Sequence, residues 1–273
     1  MAPSAGNGLS NLTLRILSAL VMAPVVLAAA YAGGGYFLVL VGLVVYLLGL
    51  EWASISTGRM FGFYPAVVCA GLVGSVALVG FGRPDTAFMA LAATAVIVSM
   101  CSAPDGRRGW SAFGVIFVGL SFVSLFLMRA DPQLGRNFIF WLFAVVWSSD
   151  TGAYIFGRAI GGPKLAPNIS PKKTWAGFYG GLLSSALAGA CCAVIFEGSS
   201  IIGLAILSAV IGFTAQIGDL LESWFKRRFS VKDSGNIIPG HGGLFDRVDG
   251  LMAATLMCAA VWGLEKDWIA RWL

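Results

Sequence analysis

The sequence has little charge. Only 11% of its 273 residues are charged, whereas 58% are hydrophobic. A soluble domain carries about 25% charged residues, so this chain cannot cover itself with a surface suited to water. The composition excludes an ordinary soluble protein and predicts that much of the surface contacts lipid.

The sequence also lacks the residues of several common sites. His241 is its one histidine, which argues against a histidine-based metal centre. The five cysteines lie inside apolar runs without CxxC spacing, and we interpret them as buried hydrophobic side chains. No GxxxxGK[ST] loop and no Ser/His/Asp or Cys/His arrangement is evident, so neither a P-loop nor a nucleophilic triad is predicted.

Long apolar runs are what the chain has in abundance. A helical span takes about 20 mainly apolar residues, and a helix satisfies its own backbone groups in lipid. A transmembrane barrel would show alternating segments of about ten residues instead. We therefore predict an all-α polytopic membrane protein with about nine transmembrane helices in one domain, 1–273. The predicted spans are 12–31, 36–53, 62–80, 86–103, 110–128, 137–157, 175–196, 199–221 and 248–264.

The first run also resembles a signal peptide, since a basic residue precedes an apolar core that ends in small residues. A run that can itself span, and that another span follows directly, is better interpreted as a retained helix. We therefore expect the first span to remain part of the protein.

Basic residues are distributed unevenly between the two sets of loops. With a cytoplasmic N-terminus, the opposite side holds only Arg83, Arg129, Arg136, Lys266 and Arg271 of the 18 Lys and Arg residues. This bias follows the positive-inside rule. It predicts a multi-pass protein of the cell (inner) membrane with its C-terminus on the side opposite the cytoplasm. The net charge of +5 is thereby explained without a nucleic-acid partner.

Polar groups concentrate in the second half of the chain. Residues 1–136 are predicted to be mainly hydrophobic scaffold spans, and 137–273 to hold the catalytic spans and cytoplasmic loops. Two loops, roughly 158–174 and 222–247, are long, and long connections are usually functional or disordered. We expect the chemistry of the protein in these loops and at the span ends beside them.

The first loop follows a span with an acidic residue inside it. Helical spacing places Asp150, Tyr154 and Gly157 on one face, and an ionisable group within a span usually faces a cavity or a partner. After this span, glycines and prolines break the helix.

The segment SPKKTW predicts where the next helix begins. Ser170 is a candidate N-cap and Pro171 suits the first helical position. Lys172 and Lys173 would then lie in the first helical turn, which favours a bound anion there. The alternative is that both lysines only mark the cytoplasmic boundary of a span.

The second loop is bounded by two acidic segments. Asp219, Glu222 and Lys226 share a helical face if the preceding helix continues, and they can equally be ion-paired at its end. Asp246 and Asp249 project from the start of the last span. Carboxylates placed so closely favour Mg²⁺ between them, although the helix dipole alone also stabilises aspartates there.

Glycines between these segments permit close backbone approach to a ligand. Gly240, Gly242 and Gly243 can present N–H groups to a phosphate. His241 can bind phosphate, carry a proton or hold the loop. Carboxylates, cations and glycine turns on one membrane face suit phosphoryl or nucleotidyl transfer, which depends on positioning and on neutralising charge.

The segment 223–249 resembles the signature of the phosphatidate cytidylyltransferases, also called CDP-diacylglycerol synthases. The segments SDTGAYIFGR and SPKKTW are similar to that family as well, whereas the first half matches only in hydrophobicity and length. The signature positions are Ser223, Phe225, Lys226, Arg227, Lys232, Asp233, Gly235, Ile238, Pro239, His241, Gly242, Gly243, Leu244, Asp246, Arg247, Val248 and Asp249.

The resemblance implies a reaction in which CTP and phosphatidate give CDP-diacylglycerol and pyrophosphate with Mg²⁺. We hypothesise that Asp219 and Asp246 hold the ion, assisted by Asp150 or Asp249, with a second cation left open. The remaining predicted catalytic residues are Lys226, Arg227, Lys232, Asp233, His241 and Arg247. The predicted substrate-binding residues are Lys172, Lys173, Ser223, Gly242, Gly243 and Tyr154.

Two other functions fit the sequence less well. A CTP-dependent kinase of a polyprenol or another lipid alcohol would release CDP and would need a base, for which His241 or Asp233 could serve. An ion-coupled transporter would place polar groups near the membrane midplane, often with inverted repeats, and no repeat is apparent here. Spacings of glycine are too common in spans to argue for a homodimer, which stays open.

Overall fold

The computed structural model describes residues 11–58, 60–101, 108–229, 231, 234–235 and 242–272. These residues form nine α-helices and one two-stranded hairpin. The helices are α1 (Asn11–Ala32), α2 (Gly34–Thr57), α3 (Phe63–Gly80), α4 (Pro84–Cys101), α5 (Arg108–Ala130), α6 (Gly135–Ile160), α7 (Trp175–Ile195), α8 (Ile201–Arg228) and α9 (Phe245–Trp272); the strands are β1 (Lys164–Ala166) and β2 (Ser170–Thr174).

The helices confirm the predicted all-α membrane fold. Eight of them, α2 to α9, include a stretch long and apolar enough to cross a membrane, and α1 contributes the shorter apolar stretch Leu20–Ala32. Each predicted span coincides with one helix. The chain is therefore an integral membrane protein.

Packing divides the helices into two bundles. Helices α2 to α5 form the first bundle, in which sequence neighbours pack together and α2 also packs against α5. Helices α6 to α9 form the second bundle in the same manner, with α6 also against α8 and α9. Helix α5 joins the bundles because it contacts both α6 and α9, while α1 packs against α2 and α6.

Two helices extend beyond the apolar runs that predicted them. Helix α8 continues to Arg228, past the predicted end at residue 221, and α9 begins at Phe245. The helix dipole favours both extensions, since three basic residues occupy the last turn of α8 and Asp246 the first turn of α9. Charged residues are thereby held on regular helix at one end of the second bundle.

The predicted start of α7 is wrong. Ser170 and Pro171 belong to β2, which pairs antiparallel with β1, so Lys172 and Lys173 lie on a strand and not in a first helical turn. Helix α7 begins at Trp175, and the hydroxyl of Thr174 caps it by accepting from the Gly177 N–H at 3.1 Å. The argument that a helix N-terminus attracts an anion to these lysines therefore fails.

Candidate active site

Three carboxylates from α8 and α9 form the centre of the candidate site. Oxygens of Asp219, Glu222 and Asp249 all lie within 4.8 Å of one another. Asp219 and Glu222 are three residues apart on α8, so they share a face, as predicted. We call these three side chains the acidic cluster.

The two helices approach closely beside the acidic cluster. A Cβ atom at Gly218 would lie 2.6 Å from the Cβ of Ala253 and 2.8 Å from the carbonyl oxygen of Asp249. A side chain at this position would push α9 away from α8. Gly218 therefore lets the aspartate of one helix reach the carboxylates of the other.

Lys226 joins the acidic cluster to Asp246. Its Nζ lies 2.7 Å from Glu222 Oε2 and 2.6 Å from Asp246 Oδ1. The pair with Glu222 is the i,i+4 ion pair that the sequence offered as one alternative. Asp246 thereby adjoins the cluster, since its carboxyl group also lies against that of Glu222, and its Oδ2 accepts from the Ser234 N–H at 3.4 Å.

Glu222 is buried but retains an oxygen without a partner. Its side chain is 4% exposed, and its Oε1 has no hydrogen-bond partner among the described residues. Burying an unpaired carboxylate oxygen is costly. This oxygen lies in a group of three carboxylates, where a cation would satisfy it.

The hairpin supplies a second lysine from the other side. Lys173 Nζ lies 2.7 Å from Asp219 Oδ2, although the two side chains remain 23% and 38% exposed. The lysine and the aspartate come from separate elements, so β2 and α8 meet at the site. Lys172, its neighbour on the strand, is exposed.

Residues of α6 lie at the edge of the site. Asp150 interacts electrostatically with Asp219, Lys173 and Arg247, which places it beside the acidic cluster. Tyr154 is exposed, and its hydroxyl accepts from Arg158 Nη1 at 2.8 Å. The structure therefore brings Asp150 towards the cluster, while Tyr154 faces outward with Arg158.

The remaining predicted residues divide into four groups. Arg227 and Arg247 are exposed on α8 and α9. Gly242 adopts a φ of 84°, which disfavours a side chain, and Gly243 is buried against Ser234. Ser223 is partly buried on α8. Lys232, Asp233 and His241 lie outside the described residues.

Sequence reasoning missed a further carboxylate, Glu51 on α2. It is 0% exposed and accepts hydrogen bonds from the N–H groups of Leu244 and Phe245 at 2.8 and 2.7 Å. The Ser234 hydroxyl lies 3.5 Å from its Oε2. An acidic residue inside an apolar run usually has a partner or faces a cavity, so the position of Glu51 was itself a signal. Its partners lie far along the chain and could not be identified from the sequence.

The chain is similar to known proteins over most of its length. The chain matches the cytidylyltransferase family over residues 13–264. It is 38% identical over 252 residues to the phosphatidate cytidylyltransferase of Brucella suis biovar 1, covering 91% of this chain and 92% of that protein. It is 34% identical over 254 residues to the phosphatidate cytidylyltransferase of Staphylococcus epidermidis, covering 87% of this chain and 92% of that protein.

Proposed function

The chain belongs to the cytidylyltransferase family, and we propose that it transfers the CMP group of CTP to phosphatidate. The products are CDP-diacylglycerol, for phospholipid synthesis, and pyrophosphate. The observation that carries the proposal beyond family membership is the acidic cluster with two lysines, at one end of a membrane-embedded bundle. A lipid headgroup and a water-soluble nucleotide can meet at such a position.

The reaction makes one bond and breaks one. An oxygen of the phosphatidate phosphate attacks the α-phosphorus of CTP, and the bond to the β-phosphate oxygen breaks. Pyrophosphate leaves with the electron pair of that bond. The attacking phosphate is already ionised, so the site chiefly has to hold two polyanions together and stabilise the departing charge.

The donor set of the acidic cluster fits Mg²⁺. Its three members offer only oxygen ligands, which this hard cation prefers, and Glu222 contributes an oxygen that has no other partner among the described residues. Asp219, Glu222 and Asp249 would hold the ion, while a second cation would call on Asp150 or Asp246. When bound, the ion would offset negative charge on the triphosphate and on pyrophosphate.

The cations around the cluster would bind the substrates' phosphates. Arg227 and Arg247 are exposed on α8 and α9, the helices that carry the cluster, and Lys172 is exposed on β2 next to Lys173. Lys173 and Lys226 already touch carboxylates of the site. We assign the exposed cations to substrate capture and the two lysines to holding the carboxylates in place.

Product analysis tests the proposal directly. Purified protein is incubated with CTP, Mg²⁺ and phosphatidate, and the lipid and nucleotide products are identified by mass. We expect CDP-diacylglycerol and pyrophosphate in equal amounts, and a loss of both in Asp219→Asn. Asp85→Asn is the matched control, because Asp85 is an exposed aspartate in the first turn of α4. In a parallel incubation with a polyprenol in place of phosphatidate, release of CDP with a phosphorylated lipid alcohol would instead identify a kinase.

We also propose that the protein lies in the cell (inner) membrane with the active site facing the cytoplasm. The distribution of Lys and Arg between the loops supports this orientation. Inverted membrane vesicles should use externally added CTP, whereas right-side-out vesicles should not. Equal activity in sealed vesicles of both orientations would contradict the assignment.

A further inference from the structure

Glu51 connects the first bundle to the helix that carries two of the site's aspartates. Its two oxygens accept from Leu244 N and Phe245 N separately, Oε1 at 2.8 Å and Oε2 at 2.7 Å. These N–H groups belong to the start of α9, where a helix leaves its first amides without internal partners. Glu51 therefore caps α9 from a helix almost two hundred residues earlier in the chain.

The cap lies directly beside the reactive groups. Asp246 follows Phe245 in sequence, and Asp249 lies one helical turn further on. Ser234 contacts both the cap and Asp246, since its hydroxyl faces Glu51 and its N–H faces Asp246. A shift of the cap would displace Asp246 and its contact with Lys226.

The surroundings of Glu51 are shaped to hold it. A Cβ atom at Gly235 would lie 2.8 Å from Glu51 Oε1, so a side chain there would displace the carboxylate. The next residue, Trp52, is 1% exposed and stacks on Phe245 with ring centroids 5.8 Å apart. Its ring also meets Phe225 of α8 edge-on. Helix α2 thus contacts the start of α9 through two consecutive side chains, Glu51 and Trp52.

The chemistry of Glu51 differs from that of a metal ligand. Its carboxylate receives two backbone N–H donors and faces a hydroxyl, and the positive end of a helix dipole adds to their effect. The buried charge is thereby satisfied by fixed dipoles and not by a cation. Such a group can set a geometry without taking part in the reaction.

We propose that Glu51 is a positioning residue for CMP transfer. By fixing the first turn of α9, it holds Asp246 and Asp249 in register with the carboxylates and the lysine of α8. The expected loss of kcat rests on the proposed function, whereas the capping of α9 by Glu51 does not.

The test compares Glu51→Gln with a control that weakens the same bundle elsewhere. The amide side chain keeps the size of Glu51 but turns a donor towards one of the two N–H groups. Leu72→Ala is the control, because Leu72 is 1% exposed in α3 and belongs to the apolar interior of the same bundle. Backbone hydrogen exchange, melting temperature, kcat and the KM for CTP are measured on all three proteins in lipid nanodiscs.

We expect exchange at Leu244 and Phe245 to become at least about tenfold faster in Glu51→Gln. Its kcat should fall by about tenfold or more, equivalent to about 1.4 kcal/mol in barrier height, while the KM for CTP stays within about twofold. Leu72→Ala should lower the melting temperature without selectively exposing these two amides. Glu51→Asp, which retains the charge but reaches less far, should show the same pattern more weakly and serves if Glu51→Gln does not fold.

Unchanged exchange at the two amides would overturn the proposal, as would a loss of kcat no greater than that of Leu72→Ala. If the wild-type protein releases CDP in place of pyrophosphate, the proposed function fails, whereas the exchange measurement still decides whether Glu51 holds α9.

Discussion

The two bundles each bury a glutamate, and the two glutamates are satisfied in opposite ways. Glu51 of the first bundle is 0% exposed and has hydrogen-bond donors on both oxygens. Glu222 of the second bundle is 4% exposed, binds Lys226 through one oxygen and has no hydrogen-bond partner for the other among the described residues. Burial alone therefore does not mark a ligand-binding carboxylate. The oxygen of Glu222 that has no hydrogen-bond partner among the described residues lies within a group of carboxylates, which is what a bound cation would require.

The two bundles also differ in the side chains that they gather. The interior of the first is built largely from apolar side chains such as Phe37, Leu72 and Leu91. The second also has an apolar interior, but one of its ends gathers acidic and basic groups from three elements, α8, α9 and β2. The first bundle is suited to hold a shape, and the second to bind charge.

The largest difference between the two bundles is expected when each glutamate is replaced by glutamine. We expect Glu222→Gln to reduce kcat by about 100-fold or more, because it removes a charge that would face Mg²⁺ and the reacting phosphates, and to raise the Mg²⁺ concentration needed for half-maximal rate. Glu51→Gln should leave that Mg²⁺ requirement within about twofold. Steady-state rates over a Mg²⁺ titration provide the measurement. Equal shifts in the Mg²⁺ requirement of the two variants would contradict the different roles assigned to Glu51 and Glu222.

A smaller effect is expected from Lys226→Met. The substitution leaves Glu222 and Asp246 facing each other without their cation, so we expect kcat to fall by about tenfold or more with little change in the KM for CTP. Lys164→Met, at an exposed position of β1, is the matched control. If the KM rises instead and kcat is retained, Lys226 binds substrate directly.

The smallest effect concerns the contact between α8 and α9. Gly218→Ala places a methyl group against Ala253 and the Asp249 carbonyl, and overpacking of this kind costs about 1–3 kcal/mol. We expect a lower melting temperature together with reduced activity. Gly42→Ala, where a Cβ atom meets nothing within 4 Å, should change neither appreciably. A melting temperature unchanged in both variants would argue against a tight contact at Gly218.

The sequence predicted the spans well because lipid imposes a simple rule on them. Apolar runs of sufficient length located all nine described helices, and the spacing of Asp219, Glu222 and Lys226 placed them on one face. The ends were less predictable, since α8 continues through charged residues that no hydropathy pattern marks as helix. The extended part also makes an ion pair with α9, between Lys226 and Asp246, that only the fold creates.

Two features could not be derived from local pattern. The hairpin was mistaken for the start of a helix because Ser170 and Pro171 are good capping residues, whereas the pairing of β2 with β1 is a tertiary choice. Glu51 was missed because its donors, Leu244 and Phe245, are distant in sequence. The metal role of Asp246 remains a prediction, and the acidic cluster adds Glu222 to the candidates.

Direct measurement of cation binding tests the central claim that the acidic cluster is built to hold a divalent ion. Mn²⁺, which favours oxygen ligands as Mg²⁺ does, can be titrated into the purified protein and followed by electron paramagnetic resonance. We predict binding in the wild type and in Asp85→Asn, and a loss of at least about tenfold in affinity in Asp219→Asn and Asp249→Asn. Equal Mn²⁺ affinity in all four proteins would contradict the account.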